Sequence, residues 1–229
     1  MPIECFATHS LLPNVIKDGG VVVDCGANLG AFSMKMVERF DSKVYAFEAS
    51  PVIFAQLPQS SGFTARNVAV CAIDGQVRLS IDQDIERTRV TSVNVTGGPM
   101  IVEVEGVTLP RLIAEAGIVG EIEVLKLDIE GSELGVFDSM TDDLIRRIGQ
   151  ITVEFHDSHG YHSTAEAEQR IARITALGFR ELFWSRRRNT ADVLLVHPKR
   201  LGRVRHAFEQ KVVRPVRALK RSFRRTLKP

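Results

Sequence analysis

Cysteine is scarce in this chain, and long apolar runs are missing. Only Cys5, Cys25 and Cys71 occur among its 229 residues. They form no Cys-x-x-Cys pair, their number is odd and their neighbours are apolar. That argues against a disulfide framework and for reduced, packed thiols in a cytoplasmic protein. No apolar stretch approaches the roughly 20 residues of a transmembrane helix. The opening "MPIECFATHSLLP" carries Glu4 and no basic segment, so it does not read as a secretory signal. A G-x-G-x-x-G phosphate loop is also missing. In "VVVDCGANLGAFS" (21–33), Asn28 stands where the middle glycine belongs and Ala31 where the last does.

The composition itself, 44% hydrophobic and 25% charged, is that of a soluble globular protein long enough for one α/β domain with a real core. The net charge of +2 hides an asymmetry. Residues 199–229 carry twelve Lys/Arg against one acid, Glu209, while residues 1–198 carry 18 bases and 27 acids. The chain thus divides into an acidic body (1–198) and a basic tail (199–229) suited to an anionic partner.

Along the body, β-branched runs alternate with helical spacing. "GVVVDCG" reads as a buried strand, and Leu29, Phe32, Met36, Val37 and Phe40 fall on one face of the following helix. "KVYAFEAS" is a second strand ending at Glu48, with Ser50-Pro51 as an N-cap and first helical position. "TARNVAVCA" reads as one third strand. Residues 76–107 read as antiparallel strands with a turn at 96–99, and Thr108 caps a short helix. "EVLKLDIEG" and "QITVEFHD" are further strands, with a helix from Ser132 between them. Ser163 and Glu166 make a capping box. "FRELFWS" and "ADVLLVH" close the body as a hairpin, expected to add an antiparallel edge. The alternation predicts a mostly parallel sheet with helices on both faces and a ligand at the carboxyl ends of its strands. Asp24, Glu48, Asp128 and Glu154 all fall at such ends.

Gly26 and Gly30 let the backbone turn sharply into a helix N-terminus. Asp24 beside that loop repels phosphate and suits a cationic ligand. S-adenosylmethionine has a sulfonium, an ammonium and a carboxylate but no phosphate. Asp24 can serve the ammonium directly or through water, and the loop amides the carboxylate. Glu48, at the end of the second strand, can accept both hydroxyls of a ribose, as NAD would equally require.

"VLKLDIEGSEL" (124–134) adds Lys126, Asp128, Glu130 and Glu133 around Gly131. With "VDCGANLG", "FEASP", "NVAV…DG" and "ITVEFH", it resembles the FkbM family of S-adenosylmethionine-dependent methyltransferases over residues 20–160. The resemblance implies a Rossmann-like class I methyltransferase fold, a mostly parallel seven-stranded α/β sheet whose last strand is antiparallel. It places Asp24, Gly26, Asn28 and Gly30 in the donor loop and Glu48 on the ribose, with Ala49 and Ser50 beside it. Asn67 and Ala69 fall near the adenine and Asp128 at the donor–acceptor junction. It also implies O-methylation of a sugar, glycan or natural-product-type acceptor.

A sugar hydroxyl needs a base or a metal at neutral pH. His156 is the expected base, with Asp128 and Glu154 as the other catalytic candidates; a histidine that merely orients its loop is the plain alternative. Asp128, Glu154 and Asp157 could hold Mg²⁺ through oxygen ligands. The spacing of His156, His159 and His162 imitates a transition-metal site but reads better as a polar loop. Lys126 and Glu133 are expected to pair at the strand–helix corner.

In the tail, Leu201, Val204, Phe208, Val212, Val216, Leu219, Phe223 and Leu227 recur at spacings of three and four, with bases on the other faces. Such a basic amphipathic helix, split at Pro215, reads as a contact with an anionic membrane at the inner surface. Packing on the body or on a partner chain is the alternative. A nucleic-acid methyltransferase gripping phosphate with this tail is disfavoured by "DIEG", where base-amine enzymes typically carry (D/N)-P-P-(Y/F). A donor-binding module without catalysis is disfavoured by the acids at four strand ends.

Overall fold

The structure is a computed structural model that describes residues 2–81, 89–91, 100–156, 163–186 and 191–201. The expected turn at 96–99, Asp157, His159, His162 and the tail beyond Leu201 lie outside these residues.

A short antiparallel hairpin, β1 (Glu4–Phe6) and β2 (His9–Leu11), opens the chain. A single 3-10 turn (Pro13–Val15) leads to β3 (Val21–Cys25), α1 (Ala31–Phe40), β4 (Lys43–Glu48), α2 (Pro51–Phe54) and β5 (Phe63–Asn67). The excursion that follows is β6 (Ala69–Cys71), β7 (Gly75–Ile81), β8 (Arg89–Thr91) and β9 (Met100–Thr108). Then come α3 (Leu109–Glu115), β10 (Ile122–Leu127), α4 (Glu133–Ser139), α5 (Asp142–Arg146) and β11 (Ile148–Phe155). The body closes with α6 (Thr164–Ala176), β12 (Arg180–Arg186), β13 (Ala191–Val196) and α7 (Pro198–Leu201).

Seven strands form the main sheet in the order β12-β13-β11-β10-β3-β4-β5. β13 runs antiparallel to both its neighbours, β11 and β12, and every other pair is parallel. The closing hairpin therefore inserts its antiparallel strand inside the sheet, and the edge strand β12 points the same way as the rest. The last strand is antiparallel as expected, but it lies inside the sheet rather than at the expected edge. The order reverses between β3 and β10, which places the crevice there.

The single third strand expected from "TARNVAVCA" is two. The chain breaks pairing at Val68, and β6 leaves the main sheet to pair with β9. β7 joins β9 and β8 antiparallel, completing a second sheet of four strands. The larger core lies between the main sheet and α3–α6 and includes Phe137 and Phe155, whose rings lie 5.8 Å apart. The other face is covered by α1 and the opening hairpin, with Phe32, Met36, Phe40 and Leu11 buried against Val22 and Val124. Leu29, expected on this face, precedes the helix and is exposed. Burial of side chains of this size stabilises by roughly 1.5–3 kcal/mol each.

Helix starts follow local chemistry. Ser50 Oγ accepts from the Ile53 N–H at 3.3 Å with Pro51 at the first position. Ser163 and Glu166 form the reciprocal capping box. Thr108 occupies the N-cap of α3, but its side chain makes no capping bond. In α7, Leu201 is buried and Arg200 reaches Glu121 and Glu123 at 2.8 and 3.0 Å. The first residues of the basic segment are thus packed on the body.

Candidate active site

The strand register builds the floor. Lys126 on β10 stands beside Asp24 on β3 and Thr152 on β11, so all three side chains share one face. Asp24 is fully buried. Ser33 Oγ donates to its Oδ2 at 2.6 Å, and Lys126 Nζ lies 3.0 Å from its Oδ1. Lys126 also donates to the Gly26 carbonyl at 2.6 Å. Burial opposes the charge on Lys126, but the Asp24 and Asp128 carboxylates outweigh it and hold the ammonium above its ordinary range. Asp24 therefore presents no surface to a ligand and instead fixes the cation under the loop. The expected Lys126–Glu133 pair is replaced by Lys126–Asp24, because Lys126 and Asp24 are register neighbours.

Above this floor, Gly26, Asn28 and Gly30 have φ of 80°, 49° and 81°. A Cβ on Gly26 would overlap the main-chain carbonyl of Asp128, so only glycine lets β3 and β10 end this close together. Asparagine is among the few other residues that tolerate the left-handed region. The N–H groups of Gly26 and Ala27 both donate to the Phe47 carbonyl, at 2.9 and 3.1 Å. That leaves the next amide, Asn28, for Glu48 Oε2 at 2.8 Å. Ser50 N–H donates to Glu48 Oε1 at 2.8 Å. Burial raises the Glu48 pKa, and these two amides counter it.

Asn67 Nδ2 ties the turn after β4 by donating to the carbonyls of Glu48 and Ala49 at 2.8 and 3.0 Å. Glu48, Ala49, Ser50 and Asn67 are thus one hydrogen-bonded unit. Ala69 belongs to the core of the second sheet, with Leu79 and Val104.

Asp128 follows β10 at the crevice. Its N–H donates to the Cys25 carbonyl at 3.1 Å, while its side chain remains one quarter exposed. His9 Nε2 lies 3.2 Å from Asp128 Oδ2, Lys126 Nζ 3.9 Å from the same oxygen, and His156 Nε2 3.8 Å from Oδ1. Burial works to raise this carboxyl, but Lys126, His9 and His156 together hold it far below the usual carboxylate range.

His156 is buried, with Nδ1 2.8 Å from Glu133 Oε1 and Nε2 3.4 Å from Glu130 Oε1. Burial works against its charge, yet the hydrogen bonds to Glu130 and Glu133 prevail and push its pKa up to about 11. At neutral pH the ring is a cation and has no lone pair to receive a proton. His156, the expected base, is thereby placed between two carboxylates, Glu130 and Glu133. Glu133 Oε1 also accepts from the N–H groups of Ile129 and Gly131, at 3.3 and 3.1 Å. Glu130 sits at φ 52°, ahead of Gly131 at φ 103°.

Glu154, half-buried on β11, turns toward the same crevice. The ligand-capable atoms of His9, Asp128 and Glu154 lie within 4.8 Å of one another, as do those of Asp128, Glu130 and His156. Two of the three expected Mg²⁺ ligands thus converge. A histidine from the opening hairpin joins them, and Asp157 lies outside the described residues. His9 was not among the expected site residues, because no periodicity or motif links it to a strand end 119 residues away.

A model of the methyltransferase FkbM domain matches residues 24–181. The chain belongs to the FkbM methyltransferase family. It is an S-adenosylmethionine-dependent methyltransferase. Among relatives, the 31-O-demethyl-FK506 methyltransferase FkbM of Streptomyces tacrolimicus is 28% identical, covering 69% of this chain and 72% of its own length. Methyltransferase sdnD of Sordaria araneosa is 24% identical, covering 72% and 77%. Among solved structures, the fibrillarin pre-rRNA processing protein of Methanococcus jannaschii covers 82% of this chain and 69% of its own, with a TM-score of 0.49 and 12% identity.

Proposed function

We propose that this FkbM-family protein methylates a hydroxyl oxygen on a sugar, glycan or natural-product-type acceptor. The observation that carries this reading is the position of Asp128. Its main chain abuts Gly26 of the donor loop, while its ionised side chain stays open to the crevice between His9, Lys126 and His156. An acceptor oxygen bound there lies next to the donor. The similarity to the 31-O-demethyl-FK506 methyltransferase of Streptomyces tacrolimicus supports an oxygen acceptor of natural-product type.

The donor side fits an adenosyl sulfonium. Glu48 keeps lone pairs for a ribose diol after taking two amides, and Asn67 fixes its turn. Gly26, Asn28 and Gly30 shape the loop for the amino acid end, and Ala49 and Ser50 flank the ribose. Asp24 acts through Lys126.

In the reaction, an acceptor oxygen attacks the sulfonium methyl in line, and the carbon–sulfur pair leaves with S-adenosylhomocysteine. Asp128 orients the hydroxyl, and Glu154 takes its proton as the half-buried carboxylate alongside. Holding the partners in line contributes up to about 7–11 kcal/mol, and the base about 10²–10⁴-fold. Mg²⁺ held by Asp128 and Glu154 would supply Lewis acidity to the same hydroxyl.

The setting we propose is cytoplasmic, with residues beyond Leu201 meeting an anionic inner membrane surface. No described helix is long and apolar enough to cross a membrane.

Incubation of methyl-labelled S-adenosylmethionine with fractionated extract tests the acceptor class. Label is expected in a glycan or small-molecule fraction and to vanish with Asp128→Asn, which keeps S-adenosylhomocysteine affinity. Label confined to RNA or protein, or wild-type transfer by the Asp128→Asn variant, would overturn the reading.

A further inference from the structure

We infer that His9, from the hairpin ahead of the FkbM domain match, is a positioning residue for Asp128. The inference rests on Asp128 being the junction residue, as proposed above. The matched domain begins at residue 24, so the hairpin lies outside it. It is nevertheless built into the crevice. The Gln150 side chain on β11 clasps Leu12 from both sides, accepting from its N–H at 2.9 Å and donating to its carbonyl at 3.1 Å. Ser10 Oγ donates to Asp192 Oδ2 on β13 at 3.1 Å. The chain is thus held against β11 and β13 at Ser10 and Leu12, directly after His9.

The ring itself is 1% exposed and constrained on three sides. Nε2 is 3.2 Å from Asp128 Oδ2, Nδ1 is 3.5 Å from Thr152 Oγ1, and Phe32 of α1 meets the ring edge-on with centroids 5.8 Å apart. An ionised carboxylate only accepts hydrogen bonds, so Nε2 carries the proton and donates to Asp128. With both nitrogens engaged and almost no exposed surface, His9 has no means of touching an acceptor. It fixes one oxygen of Asp128 and leaves the other for the acceptor. A carboxylate held by one donor at a defined angle samples fewer rotamers, which favours the in-line geometry that methyl transfer needs.

The test separates this role from packing. In ¹⁵N-histidine spectra, the His9 Nε2 proton is expected to be present and protected from exchange, before and after addition of Mg²⁺, and to lose protection in Asp128→Ala. Against the extract fraction that takes label from S-adenosylmethionine, His9→Ala is expected to lose at least tenfold in turnover. His9→Gln, whose amide can donate from the Nε2 position, should retain at least a third. S-adenosylhomocysteine affinity should stay within threefold in both variants. If His9→Ala does not fold, His9→Gln and Thr152→Val, which frees Nδ1, carry the comparison, with Thr152→Val expected to lower turnover at least threefold. An Nε2 without a proton, as a metal-ligating nitrogen requires, overturns the inference. So does equal loss in both His9 variants, or wild-type turnover in His9→Ala. Failure of the Asp128 reading is distinguished by Asp128→Asn, which would then retain transfer whatever the His9 variants do.

Discussion

Lys126 and Asp24 form an ion pair at 3.0 Å with neither side chain more than 5% exposed, directly beneath the loop that begins at Gly26. Removing the cation strands a carboxylate without water. We expect Lys126→Met to cost about 3–5 kcal/mol in urea unfolding. The double variant Asp24→Asn with Lys126→Met should recover part of that loss, since no buried charge is left unpaired. A double variant no more stable than Lys126→Met would show that the two residues do not act as a pair.

Gly26 and Gly117 both have positive φ, at 80° and 66°, but differ in their surroundings. A Cβ on Gly117 meets nothing within 4 Å, whereas one on Gly26 runs into the Asp128 carbonyl. Gly117→Ala should cost only the left-handed penalty of about 1–2 kcal/mol. Gly26→Ala should cost more and abolish S-adenosylhomocysteine binding, because β3 and β10 must separate at the crevice. Calorimetric titration and denaturant midpoints check both.

Glu48 accepts two main-chain N–H groups and keeps lone pairs for a ligand. Hydrogen bonds to a charged group contribute about 1.5–3 kcal/mol. Glu48→Gln is therefore expected to weaken S-adenosylhomocysteine binding at least tenfold. Unchanged affinity in titration calorimetry would remove Glu48 from the ribose site.

Hydrogen bonds to Glu130 and Glu133 outweigh burial and push the His156 pKa up to about 11 in the folded state, against an ordinary value near 6.5. The folded state holds a proton that the unfolded state releases. The stability this contributes is complete below about pH 6.5 and is lost as pH rises toward about 11. The slope is at most about 1.4 kcal/mol per pH unit. Between pH 7 and 10 the wild-type protein should lose stability more steeply than His156→Gln, as followed by thermal unfolding. Parallel curves would mean the ring is neutral.

Removing residues 202–229 leaves Leu201 and the Arg200–Glu121 contact in place. The truncated protein should keep its melting temperature within about 2–4 °C, the shift that roughly 1 kcal/mol produces at this size. It should no longer float with phosphatidylserine vesicles, while the full chain floats with these and not with pure phosphatidylcholine. Flotation of the truncated form would assign lipid binding to the body.

Much of this site was legible because its determinants are local. Gly26 and Gly30 announce a left-handed loop, Ser50-Pro51 and Ser163…Glu166 announce helix starts, and the K-x-D-x-E-G-x-E motif announces a strand end with acids on it. Pattern alone places Asp24, Glu48, Asp128 and Glu154 at strand ends. The pattern could not say which acid faces a ligand. Asp24 and Glu48 both lie near the carboxyl ends of buried strands, yet register sets Lys126 beside Asp24 and leaves Glu48 to two amides. The surroundings of His156 were hidden for the same reason. "ITVEFH" shows an imidazole but not that Glu130 and Glu133, from the corner between β10 and α4, enclose it.

The sequence by itself determined the alternation of strands and helices, the loop conformation and the kind of chemistry, since each depends on residues within a few positions of one another. Only the tertiary structure decided the charge on His156, the burial of Asp24 and the insertion of β13 inside the sheet. It alone brought His9 to Asp128 across 119 residues. Hydrogen bonding, burial and ion pairing act through space, and which distant groups meet is fixed by packing and strand order.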